Sequence, residues 1–300
     1  MVPTDFCAFI LTHGRPDRVY TYETLKRSGY TGKVYIVIDD EDKTADEYRR
    51  RFGDIVLMFS KREIAKTFDE GDNFNDRRAI IYARNACFDL ARQVGCTYFI
   101  QLDDDYTNFE LRFGAQHDYG YARVSHLDQM LVALLDFYKG TPAHSIALSQ
   151  GGDHIGGDSL HPMHPSLRRK AMNSFICSTE RPFQFFGRVN EDVNTYTAGG
   201  RRGLLFFTVL QAKLVQIQTQ SNAGGMTDLY LDSGTYVKSF YSVMYAPSCV
   251  RAGEMGDPRS GKYRIHHAIN WHHTVPLILR EQHRKASNLR PALRVRMGDS

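Results

Sequence analysis

No CxxC pair, no basic N-terminal region followed by a long apolar segment, no internal repeat and no low-complexity linker occurs in this sequence. Each absence excludes something. The five cysteines, Cys7, Cys87, Cys96, Cys177 and Cys249, are scattered and odd in number. That speaks against a disulfide framework and predicts reduced, buried thiols of a cytoplasmic protein. The longest apolar stretch, near residues 204–210, is far shorter than a bilayer span. With no signal peptide evident, no membrane contact is expected. A strong charge surplus is missing as well, the formal net charge being +4. Residues 280–300 carry six basic and two acidic side chains, which leaves the first 279 residues with 32 of each sign. A basic tail on a neutral body points to contact with phosphate or an acidic surface, or to a solvated terminal helix.

What is present is apolar material for one substantial core, 42% hydrophobic and 12% aromatic, laid out as alternating strands and helices. Strands are predicted at residues 6–11, 34–38, 55–59 and 97–102, and helices at 17–27, 44–51 and 76–94. The run 34–38 has no polar alternation, which marks a strand buried on both faces. Such a succession predicts an α/β fold with a mostly parallel sheet and helices on both faces. Ligands then bind beyond the carboxyl ends of the strands. Each of those ends carries polar residues: Thr12 and His13, Asp39 and Asp40, Ser60 and Lys61, and Asp103 to Asp105. The second half reads differently. A helix is predicted at 127–138, a glycine-rich loop at 146–158, and β-rich pieces at 173–177, 183–186, 204–209 and 243–245, with 226–241 helical in part. The expected organisation is one domain over residues 1–279, with halves at 1–106 and 107–279, and a basic tail at 280–300.

The strongest chemical signal is Gln101-Leu102-Asp103-Asp104-Asp105, where a buried strand ends in three successive carboxylates. They repel one another unless a cation sits among them, and carboxylate oxygens suit Mg²⁺ or Mn²⁺. Asp103 and Asp105 are the expected metal ligands, converging through a turn on an ion that holds a diphosphate; the alternative is an acidic turn open to solvent. On the preceding helix Ile80, Ala83, Cys87, Leu90, Ala91 and Val94 form an apolar stripe. Arg77 and Arg84 flank it, placed to reach a phosphate or a base, or merely to pair on the surface. Asp39 and Asp40 are candidates for accepting hydrogen bonds from a nucleotide, or for capping the next helix.

A second acidic pair, Glu191 and Asp192, lies in the second half. A carboxylate there can act as a general base toward a hydroxyl, or simply favour a helix N-terminus. Finally His266, His267, His272 and His273 surround Asn270 and Trp271. One imidazole, His266 or His267 just after a strand end at Ile265, is expected to complete the metal shell or meet its phosphates.

Taken in order, Ala83-Arg84-Asn85, Asp103-Asp104-Asp105 and Asn190-Glu191-Asp192 resemble the motif order of GT-A glycosyltransferases. More narrowly, Ile10-Leu11-Thr12-His13-Gly14-Arg15-Pro16, the Arg-bearing helix, Gln101 to Asp105 and His266-His267-Ala268-Ile269-Asn270-Trp271 resemble the TET-associated glycosyltransferases of phages and viral metagenomes. The similarity runs over roughly residues 6–279. It implies a GT-A fold with a smaller β-rich acceptor-side lobe, and a UDP-sugar donor bound by Thr12, His13, Gly14, Arg15, Asp39, Asp40, Arg77, Arg84 and Asp104. It also implies Mn²⁺ or Mg²⁺, and catalysis by Asp192 with Glu191. The implied acceptor is the hydroxymethyl group of 5-hydroxymethylcytosine in double-stranded DNA, its base flipped out; the charge pattern offers Arg168, Arg169 and Lys170, with the basic tail, for its phosphates. The rival readings are a GT-A enzyme acting on a polysaccharide or a small molecule, and a metal-dependent nuclease using the three aspartates.

Overall fold

Both faces of the first strand are apolar because both are covered. β1 (Phe6–Leu11) is buried throughout. Ala8 and Ile10 join one core cluster with Leu25 of α1 (Tyr20–Arg27), Tyr48 of α2 (Ala45–Phe52) and Leu131 and Leu135 of α5 (Leu127–Lys139). Cys7, Phe9 and Leu11 join a second cluster, on the other face, with Ile81, Cys87 and Phe88 of α4 (Ile81–Gln93). A sheet sandwiched in this way has no use for polar alternation. This is a computed structural model, and it describes residues 1–72, 77–113, 120–150, 174–217, 227–257 and 261–274, with the backbone alone at 113, 227–235, 257, 262 and 264.

The main sheet has nine strands in the order β3-β2-β1-β4-β8-β7-β9-β5-β6. β2 (Lys33–Asp39), β3 (Val56–Phe59) and β4 (Tyr98–Asp103) run parallel to β1. β8 (Phe175–Ser178) pairs antiparallel with β4 and with β7 (Ser145–Ser149). β9 (Phe206–Gln216) runs parallel to β7, and β5 (Tyr106–Phe113) lies antiparallel to β9 and to β6 (Gly120–Arg123). The strands of the second half therefore extend the sheet of the first. The smaller piece is the antiparallel pair β10 (Val250–Asp257) and β11 (Lys262–Ile269), packed on α7 (Thr227–Tyr245).

Several expectations change. Residues 183–186 form no strand; Phe183 and Phe185 are inserted as side chains into the second cluster from an irregular segment. Residues 243–245 end α7 instead of forming a strand. α4 starts at Ile81, so Arg77 precedes it; the expected stripe Ile80, Ala83, Cys87, Leu90, Ala91 and Val94 does pack on the second cluster, but it is not the only buried face. Tyr82, Arg84, Asn85, Ala86 and Phe88 are buried along with Cys87, Leu90 and Ala91, as in a helix covered on nearly every side. His266 and His267 lie inside β11, which continues to Ile269. All five cysteines are free and buried. Among the described residues no helix is long and apolar enough to cross a membrane.

Candidate active site

Three successive carboxylates leave the end of β4 in three directions. Asp103 is the last residue of the strand, and Asp104 and Asp105 turn the chain into β5. Successive side chains on a strand point to opposite faces. Asp103 accordingly faces α4, where its Oδ1 meets Arg84 Nη2 at 3.0 Å. Asp104 faces the other way: its Oδ2 accepts from Thr12 Oγ1 at 2.6 Å and pairs with Arg15 Nη2 at 3.1 Å. Asp105 Oδ2 accepts from Gln216 Nε2, at the end of β9, at 3.0 Å. Its Oδ1 is buried with no hydrogen-bond partner among the described residues.

Four carboxyls, Asp103, Asp104, Asp105 and Glu191, share two guanidiniums here, Arg84 and Arg15. Burial pushes the Asp103 carboxyl up to about 8 in spite of Arg84, with Asp105, Glu191 and Asp104 adding repulsion. Burial likewise lifts Asp104 to about 6 against Arg15 and Thr12. Asp105 is raised by burial against its bond from Gln216. Arg84 has no exposed surface, and its Nε also meets Glu191 Oε1 at 3.0 Å. One guanidinium thus sits between two acids that are more than eighty residues apart in sequence.

The loop after β1 is fastened to the ends of the neighbouring strands. His13 Nδ1 lies 2.8 Å from Asp39 Oδ2 and 3.6 Å from Asp42 Oδ2. Gly14, at φ +68° where a glycine is at ease, donates its N–H to Asp42 at 2.8 Å. Arg15 N–H donates to the Tyr48 hydroxyl at 2.9 Å, and Thr12 Oγ1 lies 2.7 Å from the same hydroxyl. Asp39 is 4% exposed and its other oxygen meets Lys61 Nζ at 3.0 Å. Burial works to raise this carboxyl, but the bond from His13 and the charges of Lys61 and His13 hold it below the ordinary carboxylate value. Asp40 is exposed and accepts from the Lys61 N–H at 2.9 Å. Arg77 is taken up by Glu41, 2.9 Å from its Nη2, so it fastens its own segment to the loop that follows β2.

Glu191 and Asp192 are the first two residues of α6 (Glu191–Arg201). The residue before them, Asn190, adopts φ +63°, a left-handed conformation that asparagine tolerates better than most side chains. Its Nδ2 donates to Ser242 Oγ of α7 at 2.6 Å and lies 3.3 Å from His267 Nδ1. Asn194 Nδ2 donates to the carbonyls of Phe186 and Val189 at 3.1 and 2.9 Å. The start of α6 is thereby held from α4, α7 and β11 together. Glu191 is raised by burial against Arg84, while Asp192 is half-exposed in the same turn. His267 is buried, and its ring centroid lies 4.1 Å from that of His266. Trp271 stacks on Tyr196 of α6 at 5.8 Å.

Residues 6–225 match the family model of the TET-associated glycosyltransferases. The chain belongs to that family. This glycosyltransferase is also similar in structure to glucosyl-3-phosphoglycerate synthase from Mycobacterium tuberculosis. Against the complex with Mg²⁺ and uridine diphosphate the TM-score is 0.44 at 9% identity, covering 88% of this chain and 87% of that one. Against the complex with Mn²⁺, uridine diphosphate and phosphoglyceric acid it is 0.45 at 10% identity, covering 88% and 86%. No curated protein matches the sequence.

Do the residues of this TET-associated glycosyltransferase suit a divalent ion? The donor set is hard oxygen, its carboxyls are crowded enough to repel one another, and Asp105 holds a buried oxygen without a partner among the described residues. These features fit Mg²⁺ or Mn²⁺. Among the described residues no three His, Cys, Asp or Glu side chains are gathered as a ready-made metal group. That holds for the three aspartates as much as for His266 and His267 with Asp103 and Asp105, and such an ion would draw on further ligands. Arg168, Arg169 and Lys170, and the tail at 280–300, lie outside the described residues. Gln216, Asp42 and Tyr48 were not signalled by the sequence, while Lys61 and Asn190 were marked only as a strand-end residue and as part of a motif. Each acts through a partner that only the folded chain brings near.

Proposed function

We propose that this protein transfers a sugar from a UDP-sugar to the hydroxymethyl group of 5-hydroxymethylcytosine in double-stranded DNA, in a metal-dependent reaction. The observation that carries the donor side is the acid cluster at the end of β4, whose carboxyls repel one another and which leaves an unpartnered buried oxygen on Asp105. Asp103 and Asp105 would hold the ion, which supplies charge neutralisation for a departing diphosphate. The loop Thr12 to Arg15, fixed by Asp39, Asp42, Tyr48 and Asp104, is rigid enough to position a nucleotide. Asp39, itself saturated by Lys61 and His13, serves that role by holding the loop. Asp40, exposed beside it, is the carboxylate open to the nucleotide.

On the acceptor side, Asp192 takes the proton from the attacking hydroxyl. It is half-exposed on the first turn of α6, whereas its neighbour Glu191 is engaged by Arg84. Direct attack with a base predicts inversion at the anomeric carbon. Asn190 Nδ2 donates toward His267 Nδ1, which puts the neutral ring's proton on Nε2. In that tautomer the buried His267 supports Asn190 at the start of α6 rather than serving as a metal ligand. Arg168, Arg169, Lys170 and the basic tail are assigned to DNA phosphates. The family sets the nuclease reading aside. The test is to incubate the protein and Mn²⁺ with hydroxymethylated duplex DNA and a panel of UDP-sugars, then to weigh the nucleosides. A nucleoside heavier by one sugar residue is expected. UDP-sugar hydrolysis with unmodified DNA as the sole outcome refutes the acceptor assignment.

A further inference from the structure

We infer that Arg84 is a positioning residue that couples the donor site to the helix carrying the base. The inference rests on the reading of Asp103 and of the Glu191–Asp192 turn just proposed. Arg84 has no exposed surface, so its guanidinium does not reach a nucleotide across solvent. Instead its Nη2 meets Asp103 Oδ1 and its Nε meets Glu191 Oε1, both at 3.0 Å. The ring faces of Phe175 and Phe185 lie 5.1 and 5.9 Å from the guanidinium carbon and close off its sides. The planar fork of arginine suits such a bridge, and a lysine ammonium does not span two acids in the same fixed geometry.

Two partners share one cation here, and that sharing is the source of the coupling. Asp103 at the end of β4 and Glu191 at the start of α6 compete for Arg84. When a donor complex draws on the Asp103 carboxyl, its hold on Arg84 weakens. The guanidinium then turns its full attraction on Glu191. Glu191 is adjacent to Asp192 in the first turn of α6, so a stronger Arg84–Glu191 bond tightens the turn that bears the base. Donor occupancy thereby orders the acceptor side before the hydroxyl arrives. Asn190, anchored on Ser242, gives that turn a fixed point against which to tighten.

The experiment uses the full chain as wild type, Arg84→Lys and Glu191→Gln. UDP is titrated calorimetrically in the presence of Mn²⁺, and backbone amide exchange in α6 is followed with and without UDP and Mn²⁺. In wild type the complex is expected to slow exchange of amides 194–198 by about tenfold, within the usual range of coupling between sites. Both variants are expected to bind UDP with Mn²⁺ within about threefold of wild type while losing most of that response. Turnover should fall about a hundredfold with donor KM unchanged, the cost of a misplaced catalytic group. A purely structural arginine would lower thermal stability without splitting kcat from KM. A wild type that binds UDP with no α6 response overturns the inference alone, as do variants in which the response persists. Loss of UDP affinity in Arg84→Lys but not in Glu191→Gln overturns it in favour of direct donor contact. A wild type that binds no UDP with Mn²⁺ overturns the functional reading beneath it. If Arg84→Lys does not fold, Glu191→Gln keeps both Arg84 and Asp103 and decides the matter.

Discussion

Removing the Lys61 ammonium should destabilise the protein by about 3 kcal/mol at pH 7, and by less as the pH falls. Lys61 and Asp39 are 5% and 4% exposed and lie 3.0 Å apart. At an effective dielectric of about 20 their attraction is roughly 5–6 kcal/mol, much of it offset by desolvation of both groups. Deleting one partner strands the other, at a cost of about 3–5 kcal/mol. Here the lower end applies, because His13 still meets the second oxygen at 2.8 Å. The pH dependence follows from the direction of the Asp39 shift. In the wild type the carboxyl is held below its ordinary value. Its contribution is therefore complete above the unfolded value of about 3.9 and is lost only as pH drops through the lower folded value. In Lys61→Met burial dominates, the carboxyl is raised, and protonation relieves the penalty at a higher pH. Urea unfolding of both proteins at pH 7 and pH 4 measures this. A difference under about 1 kcal/mol at pH 7, the size of an exposed pair, refutes the reasoning, as does a difference that grows toward pH 4. Because Asp39 also holds His13, donor KM should rise in the same variant.

Asp105→Ala should abolish transfer and lower Mn²⁺-dependent UDP binding while the thermal midpoint holds; full activity in EDTA contradicts the metal reading. Asp192→Asn should lose about a hundred- to ten-thousand-fold in rate with UDP binding intact, and a product that retains the donor's anomeric configuration counts against the base. His267→Ala should loosen Asn190 and lower turnover about tenfold with UDP affinity held, measured by the same titration and a rate assay, and a loss of UDP affinity would contradict that support role. Gly187 has φ +70°, and a Cβ there would come within 2.6 Å of Asn194 Nδ2 and of the Tyr245 ring. Gly187→Ala should therefore cost about 2–4 kcal/mol in a denaturant titration, and a neutral result would contradict that packing.

The parallel half was legible because burial on both faces leaves an unmistakable composition. β1, β2 and β4 are largely apolar without alternation, and each ends at, or is followed by, a polar residue that belongs to the site. Asp103 to Asp105 stood out because three adjacent acids after such a strand demand an explanation. What was hidden depends on distance along the chain. β5 begins right after the acid turn, and its long-range pairing with β9 has no local signature. The 183–186 segment has strand composition, yet its aromatics fill a cluster from irregular backbone. Arg84 was visible as an arginine on a helix, but the two acids it bridges lie 19 and 107 residues away. Gln216 and Ser242 likewise acquire their roles from partners that the sequence does not place beside them.

The sheet order has a consequence for how the chain is made. β4 finishes at Asp103, but the strand that covers its outer edge, β8, starts at Phe175. A ribosome adding roughly 5–20 residues per second needs roughly 4–15 seconds to deliver the missing neighbour. Throughout that interval the nascent parallel sheet presents an open, apolar edge ending in the acid cluster, the kind of edge that pairs with other chains. Released early, a fragment ending before β8 would be an aggregation seed. The newborn chain is thus most exposed to wrong pairing in that window, and that is when chaperone protection matters to it.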